Sequence, residues 1–363
     1  MIMMELIGQK NINAHLRRPL TPENKKVTCW KPNPHFLHCC IESQGCRFSR
    51  NCGACIMCDY GIGRNLSPDE VTHSLEQELS KNLDSVTTVL FGTYGSIFDE
   101  SEISAECFDA VLKYLCKIEI DTVIFETHCS TVNDLMLEKI SNTLTNINHI
   151  IIEMGFESSN EFVLHKCLNK KLDLNSLINS IETIHRHNMS ACLNVFVGSP
   201  FLSTKDQLTT SLESIHWAFN HKADSVVIFP ANIKPFTLMY RLFEQGFYQP
   251  VSHWLVIELL SRLPQKYLER IAFSWFGDRK NFYEDNQYPL IPPTACDNCH
   301  DMIFEFYYSF MEEKTALKRK QKLDALMANK NICSCYSNLM NDIGASNISL
   351  NESEINSLIQ HFG

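Results

Sequence analysis

No stretch of this chain is apolar for long enough to cross a bilayer. The longest runs, such as Trp254-Leu-Val-Ile-Glu-Leu-Leu260, have the length of ordinary helices. The first residues, 1–18, contain no long apolar run and no signal-peptide pattern. Internal repeats and low-complexity tracts are also missing, which excludes solenoids and biased linkers. Positive charge is in deficit: 32 Lys and Arg stand against 42 Asp and Glu, a formal net charge of −10. A surface of that sign does not coat nucleic acid in general. The local basic runs Arg17-Arg18, Lys25-Lys26 and residues 318–322 read first as solvated faces. A cytoplasmic protein without membrane association is expected.

Cysteine, by contrast, is plentiful, with 16 in 363 residues. In a reducing compartment clustered cysteines read as metal ligands and scattered ones as small core residues. Cys107, Cys116, Cys167 and Cys192 sit in apolar periodic segments and fall in the second group. The densest cluster places five cysteines in nineteen residues: Cys40-Ile-Glu-Ser-Gln-Gly-Cys46-Arg-Phe-Ser-Arg-Asn-Cys52-Gly-Ala-Cys55-Ile-Met-Cys58. Thiolates gathered so tightly suit a soft metal or an iron–sulfur cluster. A second group, Cys296-Asp-Asn-Cys299 with Cys333-Ser-Cys335, has the paired shape of a tetrathiolate site for zinc or a second cluster. One unbroken helix over residues 301–330 would be about 45 Å long and would hold these pairs apart. A break is therefore expected near residues 313–315.

Between residues 36 and 235 short β-rich runs alternate with helical patterns. Strands are expected at residues 36–41, 86–91, 122–126, 149–153, 191–197 and 224–229. Helices are expected near residues 102–117, 131–142, 175–188 and 205–220. An earlier helix opens at Ser67-Pro68-Asp69-Glu70, a capping box with proline in the first turn. Such alternation builds right-handed βαβ units, and the fold class is α/β: a partial (β/α)6 TIM-like barrel. Residues 1–35 read as an N-terminal extension and residues 236–290 as an extension covering the barrel, with an extra strand at 271–275. Residues 291–363 read as a mostly helical, cysteine-rich segment behind a proline-rich linker at 289–293. Chemistry in these folds gathers at the C-terminal ends of strands. The cysteine cluster, Gly92-Thr-Tyr-Gly95-Ser96, Glu126-Thr-His128, Gly155-Phe-Glu157, Gly198-Ser-Pro200 and Pro230-Ala-Asn232 all fall there.

Gly45-Cys46 followed by Cys55-Ile-Met-Cys58-Asp-Tyr60 resembles the widened cluster motif of the elongator-type branch of the radical S-adenosylmethionine (SAM) superfamily. Residues 90–99, 155–160, 197–202 and 231–238 are similar to later blocks of that branch. Residues 242–250 and the terminal cysteine pairs resemble the radical SAM subunit of archaeosine synthase. The resemblance spans roughly residues 36–335. It departs from the short superfamily motif in its spacing: Cys52, Cys55 and Cys58 have two equal gaps, and Cys46 fits the widened pattern better.

The resemblance implies that Cys46, Cys55 and Cys58 hold a [4Fe-4S] cluster, with Cys52 as the rival to Cys46. It further implies that SAM chelates the open iron and yields a 5′-deoxyadenosyl radical that takes hydrogen from substrate. Met57, Tyr60, Gly95, Ser96, Glu157, Asn194, Gly198 and Pro200 are the expected cofactor contacts. Glu126, His128, Asn232 and Arg50 are expected to face substrate. An external flavodoxin- or ferredoxin-type electron donor and a partner enzyme are implied. The substrate is either tRNA bearing a modified 7-deazaguanine or a small molecule. The reading of another class is a non-catalytic zinc or iron–sulfur protein, in which the same polar side chains only satisfy loop backbone.

Overall fold

The structure, a computed structural model, describes residues 26–61, 63–274, 290–345 and 347–362. Arg17, Arg18 and Lys25, the last residue of the expected strand 271–275 and the first of the linker 289–293 lie outside the described residues. Eight strands form one curled sheet whose spatial order is the order of the chain. These are β1 (Val27–Asn33), β2 (Phe36–Ile41), β3 (Thr88–Thr93), β4 (Thr122–Thr127), β5 (His149–Glu157), β6 (Ser190–Val197), β7 (Ser225–Pro230) and β8 (Ile271–Phe273). Strands β2 to β8 run parallel, so all their C-terminal ends meet at one edge. The sheet is a half-barrel, and all six expected strands are in it. It extends further than the expected six units at both ends, because β8 adds a parallel strand and β1 pairs antiparallel with β2. The first of these was foreseen. The second was not, because β1 is an edge strand carrying Lys31 and Pro32, and only Val27 within it is buried.

Helices cover the outer face. The barrel helices are α1 (Arg47–Cys52), α2 (Pro68–Leu79), α3 (Ala105–Leu115), α4 (Asp134–Thr143), α5 (Leu174–Arg186) and α6 (Thr204–Asn220). The capping box that opens α2 forms as expected: Glu70 N–H donates to Ser67 Oγ, and Ser67 N–H donates to the Glu70 carboxylate. Val71, Leu75 and Leu79 then form one apolar stripe on that helix, at 3.6-residue spacing. Residues 191–197 of β6 are all buried, as a parallel strand covered on both faces must be. Of the four cysteines assigned to the core, Cys107, Cys167 and Cys192 are buried. Cys116 is exposed. It caps the C-terminus of α3, where the helix turns its last residue outward, and its thiol donates to the Thr143 carbonyl.

Beyond the barrel lie α7 (Leu238–Glu244), α8 (His253–Arg262), α9 (Asp297–Glu312), α10 (Ala316–Ala328), α11 (Cys335–Gly344) and α12 (Glu352–Phe362). The expected break falls at residues 313–315, where Thr315 N-caps α10. Arg319 locks the turn by donating to the carbonyls of Glu313, Leu268 and Ile271. The helices therefore fold back, and the two cysteine pairs can meet.

Candidate active site

A cavity of about 630 Å³ opens at the C-terminal edge of the sheet. Cys46, Cys55 and Cys58 all line it. Cys46 is the residue before α1, and its N–H donates to the Tyr60 carbonyl at 2.8 Å. The Cys55 to Cys58 turn is pinned from two other segments: Ile56 N–H donates to the Leu168 carbonyl, and Met239 N–H to that of Ile56. The Asn169 side-chain amide donates to the Ala54 carbonyl at 2.7 Å. The site for the cysteines is thus built by the fold rather than by the loop alone.

Burial raises all three thiols. For Cys46 the Glu102 carboxylate adds to the effect of burial. For Cys55, Lys170 acts against it. Cys58 is pushed up to about 12 by burial, with Lys234 opposing. Such thiols keep their protons until a cation replaces them. Three thiols with an open fourth side suit a cluster with one accessible iron.

Two features were missed in the sequence. The first is Glu102. Its two carboxylate oxygens accept the N–H of Arg47 and of Ser96, each at 2.5 Å. Burial holds its carboxyl above the usual range. One buried side chain thus ties the residue after Cys46 to the loop after β3. A Cβ at Gly95 would lie 1.8 Å from a Glu102 oxygen and 3.0 Å from Cys46 Cα, so only glycine permits this approach. The second is the ion pair of Lys170 and Glu157, 2.6 Å apart, with both side chains 12% exposed. Burial, the largest influence, would lower Lys170, but the Glu157 carboxylate together with Cys55 and Cys129 overcomes it and keeps the ammonium charged. Glu157 sits at a bulge between β5 and β6 with φ +66°, a conformation that a non-glycine residue adopts only under tertiary constraint.

The remaining expected residues divide clearly. Met57, Tyr60, Gly95, Ser96, Glu126, His128, Glu157, Asn194 and Asn232 all line the cavity. Tyr60 stacks on Tyr94, and Lys234 Nζ sits 4.4 Å from the Tyr60 ring centre. Ser96 Oγ accepts the His128 N–H at 2.7 Å. His128 is lowered to about 4, chiefly by burial and then by Lys170. It is therefore a neutral ring at pH 7. The Ser130 N–H donates to its Nδ1, which assigns the proton to Nε2. Asn194 is buried, and its Oδ1 has no hydrogen-bond partner. Glu153, behind the wall, pairs in register with Glu126. Burial and then the Glu126 charge raise its carboxyl to about 8.

Gly198 and Pro200 lie outside the lining. Tyr248 donates to the Gly198 carbonyl at 2.6 Å, and Val251 fills the space beside Gly198. Arg50 does not line the cavity either. Its guanidinium is bonded to Gln44 and the Ser101 carbonyl. The Cys52 side chain lies outside the described residues, and its backbone closes α1.

The C-terminal cysteines converge on each other. The sulfurs of Cys296, Cys299, Cys333 and Cys335 lie within 4.8 Å of one another, the one group of potential metal ligands so close among the described residues. Hydrogen bonds from Cys335 and Cys333 lower Cys296 to about 7, and burial raises the other three thiols.

An incomplete parallel barrel with three half-buried cysteines at its C-terminal edge is the architecture that the radical SAM resemblance leads one to expect. The chain is 27% identical over 226 residues to archaeosine synthase subunit beta of Methanosarcina acetivorans, a match covering 61% of this chain and 64% of that protein, short of two thirds of its length. It is 23% identical over 270 residues to an uncharacterized protein of Methanocaldococcus jannaschii, covering 69% of this chain and 72% of the relative. No family model matches. Among solved structures, methylornithine synthase aligns with TM-score 0.46 at 12% identity, over 91% of this chain and 92% of that one. The archaeal Elp3 of Methanocaldococcus infernus aligns with TM-score 0.43 at 15% identity, over 66% of this chain and 58% of that one.

Proposed function

We propose that this chain is a radical SAM enzyme acting on a modified 7-deazaguanine in tRNA, in the manner of its archaeosine synthase relatives. The observation that carries this reading is the meeting of Cys46, Cys55 and Cys58 with the buried Lys170–Glu157 pair in one cavity. The three thiolates would hold a [4Fe-4S] cluster with an iron left open for SAM. When bound and reduced, that pair of cofactors supplies a 5′-deoxyadenosyl radical able to take hydrogen from substrate.

The chain's own residues bind, orient and exclude water. Lys170 would meet the carboxylate of the methionyl group, with Glu157 beside it for a ribose hydroxyl. Glu102 sets the distance between the cluster loop and Gly95-Ser96. Met57 and Tyr60 would pack over the cofactors, and Asn194 would offer its unpaired oxygen to a donor on the ligand. Glu126, His128 and Asn232 face the substrate. Gly198 and Pro200 support the wall from behind. The reaction is of the lyase type, cleaving a carbon–nitrogen bond of a lysine adduct to leave a formamidine. It takes place in the cytoplasm, draws its electron from a flavodoxin- or ferredoxin-type donor and involves a partner subunit.

The test is to incubate the reduced protein and SAM with tRNA carrying the lysine adduct, with and without the partner subunit, and to analyse the nucleosides by mass spectrometry. Formamidine product supports the proposal. SAM cleavage with unchanged tRNA in both arms removes the tRNA substrate. It favours the second reading, a small-molecule substrate, which the net charge of −10 already supports.

A further inference from the structure

The four C-terminal thiols have the spacing of a single tetrahedral ion. A zinc–sulfur bond of about 2.3 Å at tetrahedral angles sets sulfurs about 3.8 Å apart. Cys296 and Cys299 have their sulfurs 3.7 Å apart, and all four fall within 4.8 Å. A four-iron cluster instead binds each cysteine through a different iron, which spreads the thiolates around the cluster. The cavity thiols, which form no such tight group, differ in that sense. A second observation is independent of the spacing. Trp254 is fully buried, and its indole N–H has no partner of conventional geometry. It lies beside Cys299. An N–H aimed at a metal-bound sulfur is a common outer partner of such sites.

The site also holds something in place. Residues 290–296 run as a strap from the edge of the described segment to Cys296. Ile291 and Ile233 exchange both backbone hydrogen bonds, at 2.9 and 3.0 Å. Further along, Thr294 N–H donates to the Val251 carbonyl, and His253 N–H donates to that of Thr294. Ile233 stands between Asn232 and Lys234, and both of these line the cavity. The strap's far end is the first cysteine of the four.

We infer that Cys296, Cys299, Cys333 and Cys335 bind one zinc ion, and that this ion clamps the strap bracing the Asn232–Lys234 wall of the cavity. Four protein ligands close the coordination sphere, so the ion is structural. The zinc assignment stands whatever chemistry the cavity performs. The clamp links it to the cavity through Ile291 and Ile233.

The experiment is a metal count on the full chain prepared anaerobically, followed by hydrogen exchange. About one zinc and about four irons per chain are expected. Cys333→Ser should lower zinc at least tenfold and leave iron unchanged, and cobalt(II) put in place of zinc should give the bands of a tetrahedral thiolate site. In the same variant the amides of Ile233, Ile291 and Thr294 should exchange about tenfold faster, while that of Ile56 keeps its rate. Should Cys333→Ser fail to fold, zinc stripped from the folded wild type by a chelator serves for the exchange measurement. About eight irons without zinc, or no metal beyond the cavity cluster, would overturn the ion's identity. Loss of zinc with unchanged exchange at Ile233 and Ile291 would overturn the clamp.

Discussion

The two cysteine sets of this molecule use one ligand chemistry in two geometries. The C-terminal four stand within 4.8 Å of one another, on the ends of α9 and α11 and the turn before α11. The cavity three flank the short helix α1 and are held further apart, around a space lined by Lys170, Lys234, Glu157 and Glu102. The first arrangement closes four sulfurs around one small space. The second keeps an open side that faces charged and hydrogen-bonding groups. Ligand type therefore does not separate a structural site from a reactive one. The separation lies in how much unfilled, polar space the fold leaves next to the thiols.

The most severe way to break this contrast is to delete one set at a time. Cys55→Ala should abolish the visible absorbance of the cluster and all SAM cleavage while zinc stays near one per chain, measured by metal analysis. Cys46→Ala should do the same, whereas Cys52→Ala should retain iron. The opposite pair of results would make Cys52 the ligand. A smaller effect is expected at the ion pair. Lys170→Met leaves the Glu157 carboxylate buried and unpaired, which destabilises the fold by about 3 kcal/mol. It should also raise the KM for SAM more than it lowers kcat. Chemical denaturation and 5′-deoxyadenosine assays read the two effects.

Glu102→Gln is milder. The amide can still accept one N–H, but its other end turns an NH2 toward a donor, at a penalty of about 1–3 kcal/mol. SAM cleavage should fall roughly tenfold with iron content unchanged, because the two loops shift and the ligands do not. Glu102→Asp should not rescue it, since its reach is shorter.

The smallest effect is one of pH. The Glu153 carboxyl is raised to about 8 by burial and by Glu126. Between its unfolded value, about 4.3, and 8 the folded protein holds a proton that the unfolded chain has lost. Stability thus falls as pH rises through that window and levels off above it. Glu153→Gln should flatten this slope and make the protein more stable than wild type at pH 8. Urea unfolding at pH 5, 6, 7 and 8 checks this, and parallel slopes for both proteins would refute it.

The strand pattern, the polar C-terminal edge and both cysteine sets were legible in the sequence because each depends on local periodicity or short spacing. The fold-back at residues 313–315 was legible for a geometric reason, since two distant thiol pairs cannot meet across a straight helix. What escaped depends on long-range closure. Glu102 acts on Arg47, 55 residues away. Lys170 reaches Glu157 only because the segment after β5 turns back through the π-helical turn Val163–Cys167. No period in the sequence encodes either approach. The one local hint was Gly95, whose missing side chain makes room for Glu102. Gly198, expected to contact the cofactor, instead meets Val251 and Tyr248 on the side where a Cβ would stand.

The central claim is that the cavity thiols serve radical chemistry on SAM. The most direct measurement is 5′-deoxyadenosine formation by anaerobically reconstituted, dithionite-reduced protein given SAM alone. Production of 5′-deoxyadenosine with methionine in equal amounts, absent in Cys55→Ala, is the predicted result. A fully loaded, reducible cluster that leaves SAM intact would contradict the account.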